Sequence, residues 1–123
     1  NTVGLHVNDG SGLSRYNAIS AEHLTGILAS MDSSKYSKSF KSSLPIAGRT
    51  GTLKNMCKGT LAEGNLRAKS GTMSRVKSYA GYVTSKSKRR LAFSVLINNH
   101  SCSALVLKKK LEKLMVTMAN YSE

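Results

Sequence analysis

Acidic residues are scarce: 6 Asp and Glu stand against 19 Lys and Arg in 123 residues, a formal net charge of +13. Trp is absent, Pro occurs once and Phe twice. This composition excludes collagen-like and Pro-rich disordered chains. No run approaches the ~20 apolar residues that a membrane-spanning helix needs, so a transmembrane segment is excluded as well. The two cysteines, Cys57 and Cys102, allow one disulfide at most and lack the C-x-x-C spacing of a zinc site. Two unrelated thiols is the plainer reading, and the redox compartment stays open. His6, His23 and His100 are scattered without metal-ligand spacing, so neither a metal nor another cofactor is expected. With 40% hydrophobic residues, the length suits one domain with a buried core and is too short for two ordinary ones.

Periodicity supplies the organisation. The alternation of Val3, Leu5 and Val7 predicts a short strand, and the Gly-rich stretch from Asp9 to Asn17 predicts a tight turn. Ser20 is a good helix N-cap, and Leu24, Ile27, Leu28 and Met31 follow at helical spacing, giving a helix over 21–31. Residues 33–43 are polar and basic, an exposed connection or a short helix. Residues 66–72, 77–83 and 91–98 read as strands, the last two joined by a polar connector suited to a hairpin. Phe93, Val95 and Ile97 share one strand face, and Leu96 implies that the other face is covered too. Over 103–119 an amphipathic helix is expected, with Leu107, Leu111, Leu114 and Met118 as its apolar stripe and Lys108, Lys109, Glu112 and Lys113 facing away. No internal repeat is present. The chain begins with Asn, without an initiator Met or the charged and apolar regions of a signal peptide, and its start reads as a cut end.

The most informative short segment is Lys69-Ser70-Gly71-Thr72, at the start of a strand leading into a hairpin. An ammonium and a hydroxyl in succession can hold a carboxylate. The Gly lets a substrate backbone lie close, and the next backbone N–H can polarise a carbonyl as half of an oxyanion hole. Alone the motif is weak, because three common residues at the start of a strand recur by chance.

Its neighbours raise its weight. Asp9-Gly10-Ser11-Gly12-Leu13-Ser14-Arg15-x-Asn17, Leu44-Pro45-Ile46-Ala47-Gly48-x-x-Gly51-Thr52-Leu53, Ala68-Lys69-Ser70-Gly71-Thr72 and Tyr79-Ala80-Gly81-Tyr82-Val83 follow one another in this order. From about Val7 to Ile97 the chain thereby resembles the C-terminal part of the penicillin-binding D-alanyl-D-alanine carboxypeptidase/endopeptidase family, the class C low-molecular-weight enzymes that trim peptidoglycan. The resemblance implies one incomplete α+β domain over 1–123: an antiparallel sheet of three to four strands packed by an N-terminal and a C-terminal helix, the C-terminal part of a penicillin-binding/beta-lactamase-like transpeptidase domain. It further implies that Lys69 and Ser70, with Gly71, bind the terminal carboxylate of a D-Ala-D-Ala stem peptide or of a beta-lactam. Thr72 would lend its N–H to the oxyanion hole.

Serine acyl transfer in this superfamily uses S-x-x-K, an S-x-N type motif and a K-T-G type motif. Only the last is present, with Ser70 in place of Thr, which keeps the hydroxyl. Ser-x-x-Lys occurs only at Ser74/Lys77, between strands, and at Ser85/Lys88, in the hairpin; Ser-x-Asn does not occur. The nucleophile is therefore absent, and the expectation is a C-terminal piece, inactive by itself, of a periplasmic or cell-envelope peptidase. Asp9 and Arg15 are expected to form a structural ion pair, and Arg49-Thr50-Gly51, which mimics K-T-G, to be a turn.

Two readings compete. Basic runs at Lys86, Lys88, Arg89, Arg90 and at Lys108, Lys109, Lys110 suit a nucleic-acid or other polyanion binder. Few aromatics and no nucleic-acid motif speak against nucleic acid, and a solvated basic face explains such runs. The other reading is a non-catalytic interaction module. By the family resemblance, further strands lie beside residues 91–98, and without them that edge is open to self-association.

Overall fold

The computed structural model describes residues 2–123. Ser20 caps the first helix, α1 (Ala21–Asp32): its hydroxyl accepts from the His23 amide, and the His23 ring accepts from the Ser20 amide in return. A second, short helix, α2 (Ser37–Ser43), occupies the polar basic stretch. After a single 3₁₀ turn at Gly51–Leu53 come three strands, β1 (Arg67–Met73), β2 (Val76–Thr84) and β3 (Arg90–Ile97), and the long helix α3 (Ala104–Asn120).

The strands form one antiparallel sheet in the order β1-β2-β3. Met73 opposite Val76 leaves a two-residue turn, Ser74-Arg75, in which Arg75 takes φ +58°. Gly81 opposes Ala68, and a Cβ placed on Gly81 would stand 2.6 Å from the Ala68 Cα and collide with the Arg67 carbonyl. The β1–β2 approach therefore requires glycine there.

Side-chain alternation splits the sheet into two apolar faces. Tyr79, Val83 and Phe93, with Leu91, Val95 and Ile97, pack against Leu107, Leu111 and Met115 of α3 and against Leu53, Met56 and Leu66 of the connecting segment. The opposite face puts Tyr82, Ala80 and Ala92 against Leu28 of α1 and Phe40 of α2. This three-helix, three-strand α+β architecture is the expected one, with both sheet faces covered.

Three expectations are corrected. The strand over 2–7 shrinks to a single bridge between His6 and Ala18, because Leu5 N–H closes a turn onto Thr2. Val3 and Val7 are 84% and 66% exposed, so their alternation has no face to bury. On α3 the buried row is Leu107, Leu111, Met115 and Ala119; Leu114 faces solvent. Glu112 does not face away either, since its carboxylate accepts the Cys57 backbone N–H. The two cysteines are free thiols, Cys57 buried and Cys102 partly so.

Candidate functional site

The Leu44–Leu53 block explains how one edge of the sheet is shaped. Ala47 N–H donates to the Leu66 carbonyl at 2.9 Å, and Ala68 N–H donates to the Pro45 carbonyl at 3.0 Å. The block thus covers the outer edge of β1 as far as Ala68. Since N–H groups of alternate strand residues point the same way, those of Ser70 and Thr72 face the same outer side as that of Ala68. Beyond Ala68 no backbone hydrogen bond covers that edge among the described residues.

Lys69, Ser70, Gly71 and Thr72 all lie on this open stretch, half-buried or exposed. The exposed Lys69 ammonium reaches the edge and donates to the Ser70 carbonyl at 2.7 Å. Ser70 Oγ donates to Thr52 Oγ1 at 2.9 Å, which fixes its rotamer from the 3₁₀ turn. A Cβ on Gly71 would collide with Ser78 Oγ across the ladder, so glycine keeps the strand thin where it is most open. From the partner strand Lys77 Nζ donates to Thr72 Oγ1 at 2.6 Å and lies 5.3 Å from the Tyr79 ring centroid. The sequence reading missed Lys77 and Thr52. The hairpin register, which pairs Thr72 with Lys77, is the signal that brings in the former; Thr52 comes near only through tertiary folding.

The arrangement offers two ammonium groups, a positioned hydroxyl and a row of outward backbone amides along one extended edge. It suits an extended chain ending in a carboxylate, which such an edge can hold by strand-like hydrogen bonds and charge.

Neither Ser-x-x-Lys pair resembles an activated nucleophile. Ser74 sits in the exposed hairpin turn. Ser85 is buried, its Oγ 2.9 Å from Ser87 Oγ and accepting the Arg89 amide. Among the described residues no group of three His, Cys, Asp or Glu side chains could hold a metal ion.

The Asp9–Asn17 loop is organised by Asn17. Its Oδ1 accepts from the amides of Asn8, at 2.7 Å, and Asp9, at 3.2 Å, and its Nδ2 donates to Asp9 Oδ1 at 3.0 Å. Asn17 and Ser11 hold Asp9, in place of the expected ion pair with Arg15. The Asn17 hydrogen bond is the main reason the Asp9 carboxyl lies below the usual range. Residues of the loop share an open hollow with Met73, Ser78 and Leu96, at the far end of the β1–β2 hairpin from Ala68. Arg49-Thr50-Gly51 is a turn, as expected, with Thr50 Oγ1 accepting the Ile46 amide at 2.9 Å.

Residues 1–121 match a family described as the D-Ala-D-Ala carboxypeptidase 3 (S13) family. A D-alanyl-D-alanine carboxypeptidase from Actinomadura is 40% identical over 126 residues, covering 98% of this chain and 23% of the relative. The crystal structure of penicillin-binding protein 4 from Haemophilus influenzae is similar with a TM-score of 0.82 at 26% identity, over 95% of this chain and 28% of that one. The same Haemophilus protein in complex with a beta-lactam is similar with a TM-score of 0.78 at 27% identity, over 92% and 28% of the two chains. The chain thus spans about a quarter of the length of these relatives. Among its described residues no helix is long and apolar enough to cross a membrane. With its residues matched almost from end to end and its sheet and helices shared with a solved relative, this chain belongs to the D-Ala-D-Ala carboxypeptidase 3 (S13) family.

Proposed function

We propose that the open edge of β1 is the substrate-carboxylate side of a serine D-Ala-D-Ala carboxypeptidase/endopeptidase site acting on peptidoglycan in the cell envelope, on its periplasmic side. Lys69 and Ser70 bind the terminal carboxylate of the stem peptide, or that of a beta-lactam. Gly71 lets the ligand lie close, and the Thr72 N–H forms half of the oxyanion hole. The observation that carries this reading is the free backbone of the edge: backbone hydrogen bonding from the Leu44–Leu53 block ends at Ala68, where the Lys-Ser-Gly-Thr run begins, while Thr52 of the block holds the Ser70 hydroxyl. The acylated serine has no counterpart in these 123 residues, so the chain alone binds without cleaving.

Amide shifts on titration with an N-acylated peptide ending in D-Ala-D-Ala test this. Shifts confined to residues 69–72, with about ten times more peptide needed to reach them in Lys69→Ala, are expected, and no D-Ala is released. Shifts elsewhere, or none at saturating peptide, overturn the binding site; release of D-Ala overturns the inactivity. A charge-assisted pair lost from an exposed edge weakens binding about tenfold.

A second reading concerns β3, which among the described residues pairs on one side only, with β2. Its other edge is proposed to pair with a second copy of the chain. Sedimentation is expected to show concentration-dependent dimers, and a monomer at every concentration overturns it.

A further inference from the structure

Away from the β1 edge, the start of the sheet and the α1–α2 corner enclose an open groove lined by Lys35, Lys38, Lys41, Arg67 and Arg90, with Ser37 between them. Its cations come from four separate places in the chain: the α1–α2 turn, α2, the first residue of β1 and the first residue of β3. Among the described residues one acidic group answers them. Asp32 pairs with Lys41, and its other oxygen lies 3.2 Å from an Arg90 guanidinium nitrogen. Arg67 donates to the Lys41 carbonyl at 3.3 Å, which anchors its guanidinium at the groove wall. Five cations against one carboxylate leave a local excess of four positive charges.

Each of these cations is at least partly exposed, and a single ion pair in such a setting is worth little. A monovalent or small anion gains too little here to stay. A ligand that repeats its charge gains from several cations at once and from the counterions it displaces. Guanidinium forks and ammonium groups together match tetrahedral phosphate. Among the described residues no aromatic side chain lines the groove to stack a base. The nearby Tyr36 ring carries the Lys35 ammonium at 5.0 Å, and the Tyr82 ring faces the Lys41 ammonium at 5.5 Å. A phosphate polymer without bases fits these features better than a single-stranded nucleic acid.

We propose that this groove binds a linear phosphate polymer. The proposal is independent of the β1 edge, and its test uses other residues. The probe is linear inorganic polyphosphate, titrated by isothermal calorimetry at several salt concentrations. Single-stranded DNA, poly-glutamate and inorganic phosphate serve as comparison ligands. Two charge-matched double variants are compared: Lys35→Gln with Lys38→Gln in the groove, and Lys109→Gln with Lys113→Gln on the exposed side of α3. All four lysines are exposed, so neither variant disturbs the core. The groove variant is expected to bind polyphosphate about tenfold more weakly and to flatten the log–log salt slope by about 1.5, the share of two phosphate contacts. The α3 variant is expected to change affinity less than twofold. Equal losses in both variants would overturn the groove as the site and assign binding to net charge. Equal or tighter binding of poly-glutamate or DNA would overturn phosphate as the preferred chemistry. Inorganic phosphate binding as tightly as the polymer would overturn the multivalent ligand.

Discussion

The Tyr82 hydroxyl on β2 donates a 2.7 Å hydrogen bond to the Leu28 carbonyl in the middle of α1, and both residues are buried. One side chain thus ties the α1 layer to the sheet while its ring packs edge-on against Phe40 of α2, with centroids 6.4 Å apart. Burial, aided by the nearby Asp32 carboxylate, raises the Tyr82 phenol above its ordinary pKa and keeps it a donor. Tyr82→Phe keeps the ring and removes only the bond. It is expected to cost about 1 kcal/mol, the usual net worth of a buried neutral hydrogen bond, read as a lower urea midpoint at unchanged slope.

The Cys57 thiol gives the fold an alkaline limit. Burial first, and the Glu112 carboxylate second, push the thiol up to about 11, against an ordinary value of 9.0. The unfolded chain therefore surrenders this proton first as pH rises. The resulting stability is complete below pH 9 and lost as pH climbs towards about 11, a contribution of about 2–3 kcal/mol. Tyr79, raised mainly by the same burial, adds to the loss at higher pH. In urea titrations at pH 8 to 11, Cys57→Ala is expected to lower stability at neutral pH yet lose less of it on alkalinisation. Parallel profiles for the two proteins would remove Cys57 from the account.

The two strand glycines are expected to separate folding from binding. At Gly81 an added methyl meets backbone, the Arg67 carbonyl and the Ala68 Cα, which cannot move without breaking the ladder. Gly81→Ala is therefore expected to cost about 3 kcal/mol or more, as overpacking against a fixed partner does. At Gly71 the obstacle is the Ser78 hydroxyl, which can rotate away. Gly71→Ala is expected to retain cooperative unfolding but to thicken the open edge and weaken D-Ala-D-Ala peptide binding. Circular dichroism melts read the first effect and peptide titration the second.

The fold was legible wherever one periodicity met one buried face. Ser20 marked the start of α1, and the alternation of Phe93, Val95 and Ile97 found the α3-facing side of β3. Four motif blocks identified the family, and the Lys69–Thr72 run singled out with them lies along one strand, β1. The failures have physical causes. Val3, Leu5 and Val7 alternate as a strand does, but a strand needs a partner and a face, and here a local turn bond wins. Asp9 and Arg15 carry opposite charges a few residues apart, yet the side-chain amide of Asn17 offers Asp9 a closer partner. Thr52, Lys77 and the cations of the α1–α2 groove are separated in sequence and meet only through the sheet register and the layer packing.

The apolar row of α3 offers the last test, because sequence and structure choose different neighbours. Leu114 and Met115 are adjacent and both apolar, so hydrophobicity alone cannot decide which of them faces the sheet. The buried row Leu107, Leu111, Met115, Ala119 follows strict i, i+4 steps. It forms one ridge of side chains that fits lengthwise between the sheet and the Leu53–Leu66 layer. Met115 is 1% exposed and Leu114 43%. Met115→Ala leaves a cavity beneath the helix and is expected to cost about 2–4 kcal/mol. Leu114→Ala removes a side chain that already meets water and is expected to cost less than about 1 kcal/mol. Thermal or urea unfolding of the pair decides between the two registers: a larger loss for Leu114→Ala would mean that α3 is rotated by about 100° from the position described.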